Sequence, residues 1–236
     1  MIFSWQEILG FMPGLLMGAR ITVILTFLVM FLGLAWGLAL ALGRLSRFPM
    51  VRLLSRTYVE IIRGTPLLLQ LFYVYYVLPF VGIKFEPFTA GTIALSANYA
   101  AYLSEVYRAG IQAIDRGQIE ASLSLGMSRA LLMRRIILPQ AIRIILPPIG
   151  NYFISLFKDT SLVSIITLRD LMFSGEIMAA STFKDFEIFT TIAAIYLIIC
   201  FPSSIAVTWL ERKLKVGVAQ RPGLLSRMRM AWGQTD

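Results

Sequence analysis

Lys158, Asp159, Thr160 and Ser161 stand side by side after a long apolar stretch. One cation, one anion and two hydroxyls are the groups that satisfy a zwitterion such as an amino acid, because each charged end then gains a charge-assisted hydrogen bond. On a regular helix Lys158 and Asp159 point about 100° apart, so they do not neutralise each other. A second arrangement stays open, with Lys158 reaching the outer interface and Asp159 capping a following turn. Asn98, Tyr102 and Glu105, at i, i+4 and i+7, share one helix face. An ionisable group at mid-bilayer costs about 2.5–3.5 kcal/mol on insertion scales, so Glu105 must face a cavity or a partner. Arg108 or Arg63 near the inner surface would serve. Asn98 and Tyr102 then remain, with the quartet at 158–161, as the candidate ligand contacts.

Covalent chemistry has little to work with. The chain has no histidine, and Cys200, its one cysteine, lies within an apolar run. That excludes Ser-His-Asp and Cys-His catalysis, Cys/His zinc sites and an intrachain disulfide. None of the five lysines follows a glycine, so the phosphate-cradling GxxxxGK[ST] loop is missing and ATP cannot be hydrolysed here. No metal or cofactor of its own is expected.

The elements that must hold these residues are membrane helices. Of 236 residues 58% are hydrophobic and 15% charged, with a mean hydropathy of +0.75, against about 25% charged in soluble domains. Residues 21–43 and 188–210 contain no Asp, Glu, Lys or Arg, and each can cross a hydrocarbon core of roughly 30 Å. Apolar runs bounded by charge, Pro and Gly predict five helices, near 15–43, 64–83, 88–111, 140–166 and 187–210. Pro147-Pro148 should kink or break the fourth. The first run is too long, and too poor in basic flank, for a removable signal peptide. If the five alternate, 17 of the 22 basic residues fall on one side. The positive-inside rule then places the N-terminus outside and the C-terminus in the cytoplasm. The net charge of +9 is thus mostly topology, and nucleic acid is not an expected partner. The chain reads as one all-α polytopic domain over 1–236, with a tail over 214–236 that loses apolar periodicity from Pro222 on and is expected to meet lipid or solvent.

Between the third and fourth helices, residues 112–139 are too long for a hairpin and too patterned for a linker. Ile119, Leu123 and Leu125 precede Gly126; Ala130, Leu131, Met133, Ile136 and Ile137 follow it. Two short amphipathic helices broken at Gly126 fit, with Ser128 capping the second and Pro139 ending it. Such a loop could simply lie on lipid headgroups.

Glu120-Ala121-Ser122, three residues, Gly126, nine residues, Ile136, one residue, then Leu138-Pro139 resembles the EAA loop of binding-protein-dependent ABC importers, Ser122 replacing the usual alanine. Arg63-Gly64-Thr65-Pro66-Leu67-Leu68-Leu69-Gln70 is similar to the RGTPL-x-x-Q signature of the polar amino acid permeases among them, the histidine, glutamine, arginine and glutamate type. Helix-start chemistry alone, with Thr65 as N-cap and Pro66 in the first turn, would also account for that stretch. Ala101-Tyr102-x-x-Glu105, Arg108-Ala109-Gly110-Ile111 and Lys158-Asp159-Thr160-Ser161-Leu162 extend the likeness over 63–162.

The resemblance implies a type I ABC importer permease fold in the bacterial inner membrane. It implies a second permease, identical or homologous, an external solute-binding protein, and an ATPase that binds ATP and Mg. Within the loop it implies that Glu120 contacts the ATPase, that Ala121 and Ser122 allow close approach, that Gly126 forms the bend, and that Pro139 closes the motif. The main expectation is a polar amino acid importer. A gradient-coupled secondary transporter or channel using Glu105 and Asp159 is the alternative, and a lipid-binding scaffold a third reading.

Overall fold

The computed structural model describes residues 5–215, all-helical among those residues, with no strand. The tail over 214–236 lies, from residue 216 on, outside the described residues.

α1 (Trp5–Arg44) and α9 (Asp185–Lys215) are the long apolar helices foreseen at the two ends. Within them, 9–44 and 185–213 are long and apolar enough to cross a membrane. α2 (Pro49–Arg63) and the stretch that starts with α3 (Leu67–Phe72) and continues as a π turn and a 3-10 turn to Val81 pass the same test only as a pair, bent by 106°. α4 (Pro87–Gln112) and α7 (Leu138–Asp159) have 26 and 22 residues, enough at 1.5 Å per residue to span roughly 30 Å. Neither is apolar enough to meet that test alone, because uncharged polar residues, glycine and proline lower their mean hydropathy. By length and composition, then, two described helices qualify, or three with the bent pair, where the sequence suggests five.

α7 is not broken at Pro147-Pro148. The carbonyls deprived of donors are those of Arg143 and Ile144. Ile144 and Pro148 line a cavity of about 210 Å³ rather than a packed face, the setting in which a membrane helix tolerates proline.

α1 lies along α4, and small residues let the backbones meet. A Cβ on Gly37 would sit 3.0 Å from the Ala100 carbonyl and 3.0 Å from the Leu103 side chain, as membrane helix interfaces require. The main core joins Leu25 and Val29 of α1, Leu71 of α3, Leu95 and Leu103 of α4, Leu156 of α7, and Val163 and Ile166 of a 3-10 segment, Thr160–Ile166. A second core joins Leu15 and Ala19 to α8 (Leu171–Thr182) and to Ile188, Ile192 and Ile195 of α9. Asp170 starts α8 by accepting from the Phe173 amide at 2.9 Å, and Thr22 of α1 accepts from the Leu171 amide at 3.2 Å. A polar clasp thereby fixes α8 to α1.

Candidate functional site

The second helix begins with a turn that its own sequence cannot hold. Gly64 and Pro66 interrupt the helix, and Thr65 does not cap α3: its hydroxyl donates backwards to the Ile61 carbonyl at 3.0 Å, while Pro66 occupies the cap position. The expected N-cap is thus a C-terminal clasp on α2. Gln70 completes the turn, its amide nitrogen donating to the Ile62 carbonyl at 2.8 Å and the Thr65 hydroxyl at 2.9 Å. The Gln70 carbonyl oxygen in turn accepts from the Asn98 amide of α4 at 3.0 Å. A side chain two helices away braces the bend.

That bend forms one wall of a cavity of about 600 Å³. Asn98, Tyr99 and Tyr102 of α4 form the second wall, and Tyr152, Ser155, Lys158 and Asp159 of α7 the third. The Asp159 carboxylate accepts from the Tyr99 hydroxyl at 2.7 Å. Tyr152 packs edge-on against Tyr99, ring centroids 6.2 Å apart, and tilted on Tyr102 at 5.9 Å. Lys158 and Asp159 share this cavity without an ion pair between them, as their helical offset predicts.

Four of the six candidate contacts, Asn98, Tyr102, Lys158 and Asp159, therefore converge. The other two do not line the cavity. Thr160 is fully buried and its hydroxyl donates to the Phe157 carbonyl at 2.7 Å; Ser161 donates to the Lys158 carbonyl at 2.7 Å. Both hydroxyls close the end of α7, where donors to the last helical carbonyls are needed. Asn98 is 5% exposed and already engaged with Gln70. Arg63, Tyr99, Tyr152 and Ser155 are among the lining residues that escaped the sequence reading as site groups. The readable signal was a tyrosine next to Asn98 and another one turn before the last turns of α7.

Glu105 is held by arginines, as the sequence suggests for a carboxylate near the inner surface. It accepts from Arg108 and lies 4.0 Å from Arg63. The further partner, Arg44 of α1, was not foreseen. Arg63 also stands 5.5 Å from the Tyr102 ring centroid. It lines the large cavity, the 210 Å³ cavity below Tyr102 and a cleft at the far end of α4.

The loop after α4 folds as two short helices, α5 (Arg116–Ser124) and α6 (Arg129–Leu132). Asp115 caps α5 by accepting from the Gly117 amide at 2.8 Å. Gly126 has φ +78° and nothing within 4 Å of an added Cβ, so its glycine serves conformation rather than space. The amide of Met127 donates to the Ser122 carbonyl and that of Gly126 to the Leu123 carbonyl, at 3.1 and 2.9 Å, the two bonds of a Schellman C-cap. Ser128 caps α6 through the Leu131 amide at 3.3 Å. Ser122 is buried and donates to the Gln118 carbonyl at 2.7 Å, so the departure from alanine leaves no unpaired hydroxyl. Glu120 and Ala121 are exposed. Pro139 does not end the second helix: a π turn over Met133–Ile137 runs directly into α7, with Pro139 in its first turn. The helix is continuous there, and the π turn just ahead of Pro139, with the Leu138 amide bonded to the Met133 carbonyl, is the local adjustment that accommodates the missing donor.

These features define an α-helical membrane permease, with an open cavity between its helices that carries charged and polar side chains, and an exposed helical loop. Residues 31–216 match the family described as "Binding-protein-dependent transport system inner membrane component", and the chain belongs to it. It is the membrane-spanning subunit of an ABC importer. The probable glutamine ABC transporter permease GlnM of Bacillus subtilis (strain 168) is 40% identical over 179 residues, 76% of this chain and 83% of that one. The L-cystine transport permease TcyB of the same organism is 41% identical over 212 residues, 89% of this chain and 91% of its own. A crystal structure of an amino acid ABC transporter with histidines superposes with a TM-score of 0.86 at 41% identity, covering 90% of this chain and all of that one.

Proposed function

We propose that this permease carries a polar amino acid or related zwitterion into the cell. Its setting is a bacterial inner membrane, with five spans, the N-terminus outside and the C-terminus inside. A second permease, identical or homologous, completes the path. A separate ATPase binds ATP and Mg and docks on residues 112–139 through Glu120, Ala121 and the bend at Gly126; an extracytoplasmic binding protein delivers the solute. Lipid surrounds the remaining faces.

The observation that carries this reading is the 600 Å³ cavity shared by the Lys158 cation, the Asp159 carboxylate and the polar groups of α4. Its volume lies within the roughly 300–1,000 Å³ of small-molecule sites. A solute carboxylate fits toward Lys158 and an ammonium toward Asp159, with Tyr99 holding the latter's carboxylate in place. Relatives with glutamine and cystine in their names support the class.

Proteoliposomes holding the permease, its ATPase and its binding protein test the proposal. Uptake should require ATP on the ATPase side, be blocked by vanadate, and select α-amino acids over their decarboxylated amines. Asp159→Ala should lower it at least tenfold, the scale of one lost charge-assisted contact, while the ATPase still co-purifies. Uptake that survives without ATP and collapses with the proton gradient would establish the gradient-coupled alternative.

A further inference from the structure

At the far end of α4 lies a separate cleft of about 710 Å³. Arg44 of α1, Arg52, Arg56 and Arg63 of α2, and Arg108 of α4 line it, against two carboxylates, Glu60 and Glu105. Glu105 is occupied by Arg44 and Arg108. Arg52 and Arg56, one helical turn apart, form no ion pair among the described residues. Five guanidiniums from three helices thus face two carboxylates in one concavity, an excess of three positive charges. Such a wall is stable beside hydrocarbon only when an anion or water screens it.

The surroundings indicate which anion. Met50, Leu53, Leu54 and Ile61 of α2 are 58–66% exposed. Phe48, just ahead of α2, is 60% exposed with the Arg47 guanidinium 5.6 Å from its ring. Basic and apolar side chains interleaved on one helix mark a segment lying among lipid headgroups. We propose that this cleft binds the phosphate headgroup of an anionic phospholipid, through Arg52 and Arg56, with the acyl chains along the exposed apolar residues of α2. A guanidinium fork matches phosphate oxygens two at a time. The site rests on the membrane orientation of the proposed function only for its leaflet, not for its chemistry.

The test is native mass spectrometry of the delipidated permease–ATPase complex, titrated with phosphatidylglycerol or with phosphatidylcholine of the same acyl chains. Phosphatidylglycerol should bind saturably, once per permease chain, and phosphatidylcholine should not. R52Q/R56Q should weaken binding about 30-fold, two charges' worth at a membrane surface. R52K/R56K, which keeps the charge, should restore most of it, a recovery that a misfolded variant would not give. Equal binding of the two lipids, or unchanged binding in R52Q/R56Q, overturns the proposal. Displacement by millimolar inorganic phosphate would make it a free-anion site instead, and loss of the ATPase from R52Q/R56Q with lipid binding intact would assign the arginines to protein contact. The titration needs no uptake, so lipid binding stands or falls separately from transport of an amino acid.

Discussion

The bends at Gly64–Pro66 and at Gly126 look alike in sequence, each a glycine between two helical patterns, yet different forces hold them. At Gly126 everything is local: a left-handed glycine, two Schellman bonds and caps from Asp115 and Ser128 lie within fourteen residues, 115–128. At Gly64 the backbone stays right-handed, φ −82°, and the turn depends on Gln70 and, behind it, Asn98 of another helix. A self-contained bend keeps its shape whatever its surroundings do, which suits a docking piece. A bend braced from the cavity wall is open to competition from the cavity: under the proposed function, a solute that drew on Asn98 would compete with the brace.

The sharpest way to break this contrast is Gln70→Leu. It leaves the buried Asn98 amide without its Gln70 partner, worth about 1–3 kcal/mol, and the Ile62 carbonyl with only the Thr65 hydroxyl at 3.3 Å. Uptake should fall roughly 10- to 100-fold, following about 1.4 kcal/mol per decade, with ATPase co-purification unchanged. Amide exchange should quicken over 62–70 and stay as it was over 116–132. Equal loosening of both segments would show that the two bends are not independent.

Glu120→Lys probes the other bend's purpose with a smaller effect. Glu120 is exposed, so folding stability should move by no more than about 0.5 kcal/mol. Reversing its charge at a docking surface should lower uptake about tenfold while ATP hydrolysis continues uncoupled. Normal coupling in this variant would move the ATPase contact elsewhere in 112–139.

What the sequence revealed follows the same division. The long apolar ends, the turn at Gly126 and the Ser128 cap were readable because each depends on neighbours within a few residues or on hydropathy alone. Lys158 and Asp159 were readable as charges out of place, but not Asp159 as the partner of Tyr99, 60 residues away. Thr160 and Ser161 misled because hydroxyls at a helix end bond backwards to its carbonyls as readily as they face a ligand. Pro139 and Pro147-Pro148 misled for a related reason. Proline breaks a helix when the freed carbonyl has nowhere to go, and a π turn just ahead of it or a cavity wall lowers that penalty.

Gly126→Ala is the mildest and cleanest of these substitutions. At φ +78° a Cβ is strained against its own backbone by about 1–2 kcal/mol, and with no neighbour within 4 Å there is no clash to add. The loop should therefore loosen by that amount, read as faster amide exchange over 116–132. Uptake should fall only a few-fold, since the proposed docking residues Glu120 and Ala121 would remain in place for most of the time. Gly126→Asn should recover part of the loss, because asparagine tolerates the left-handed region. A drop in uptake as deep as that of Gln70→Leu would mean that the ATPase, not the backbone, needs the missing side chain, and Gly126 would join Glu120 and Ala121 as a proposed contact rather than a hinge.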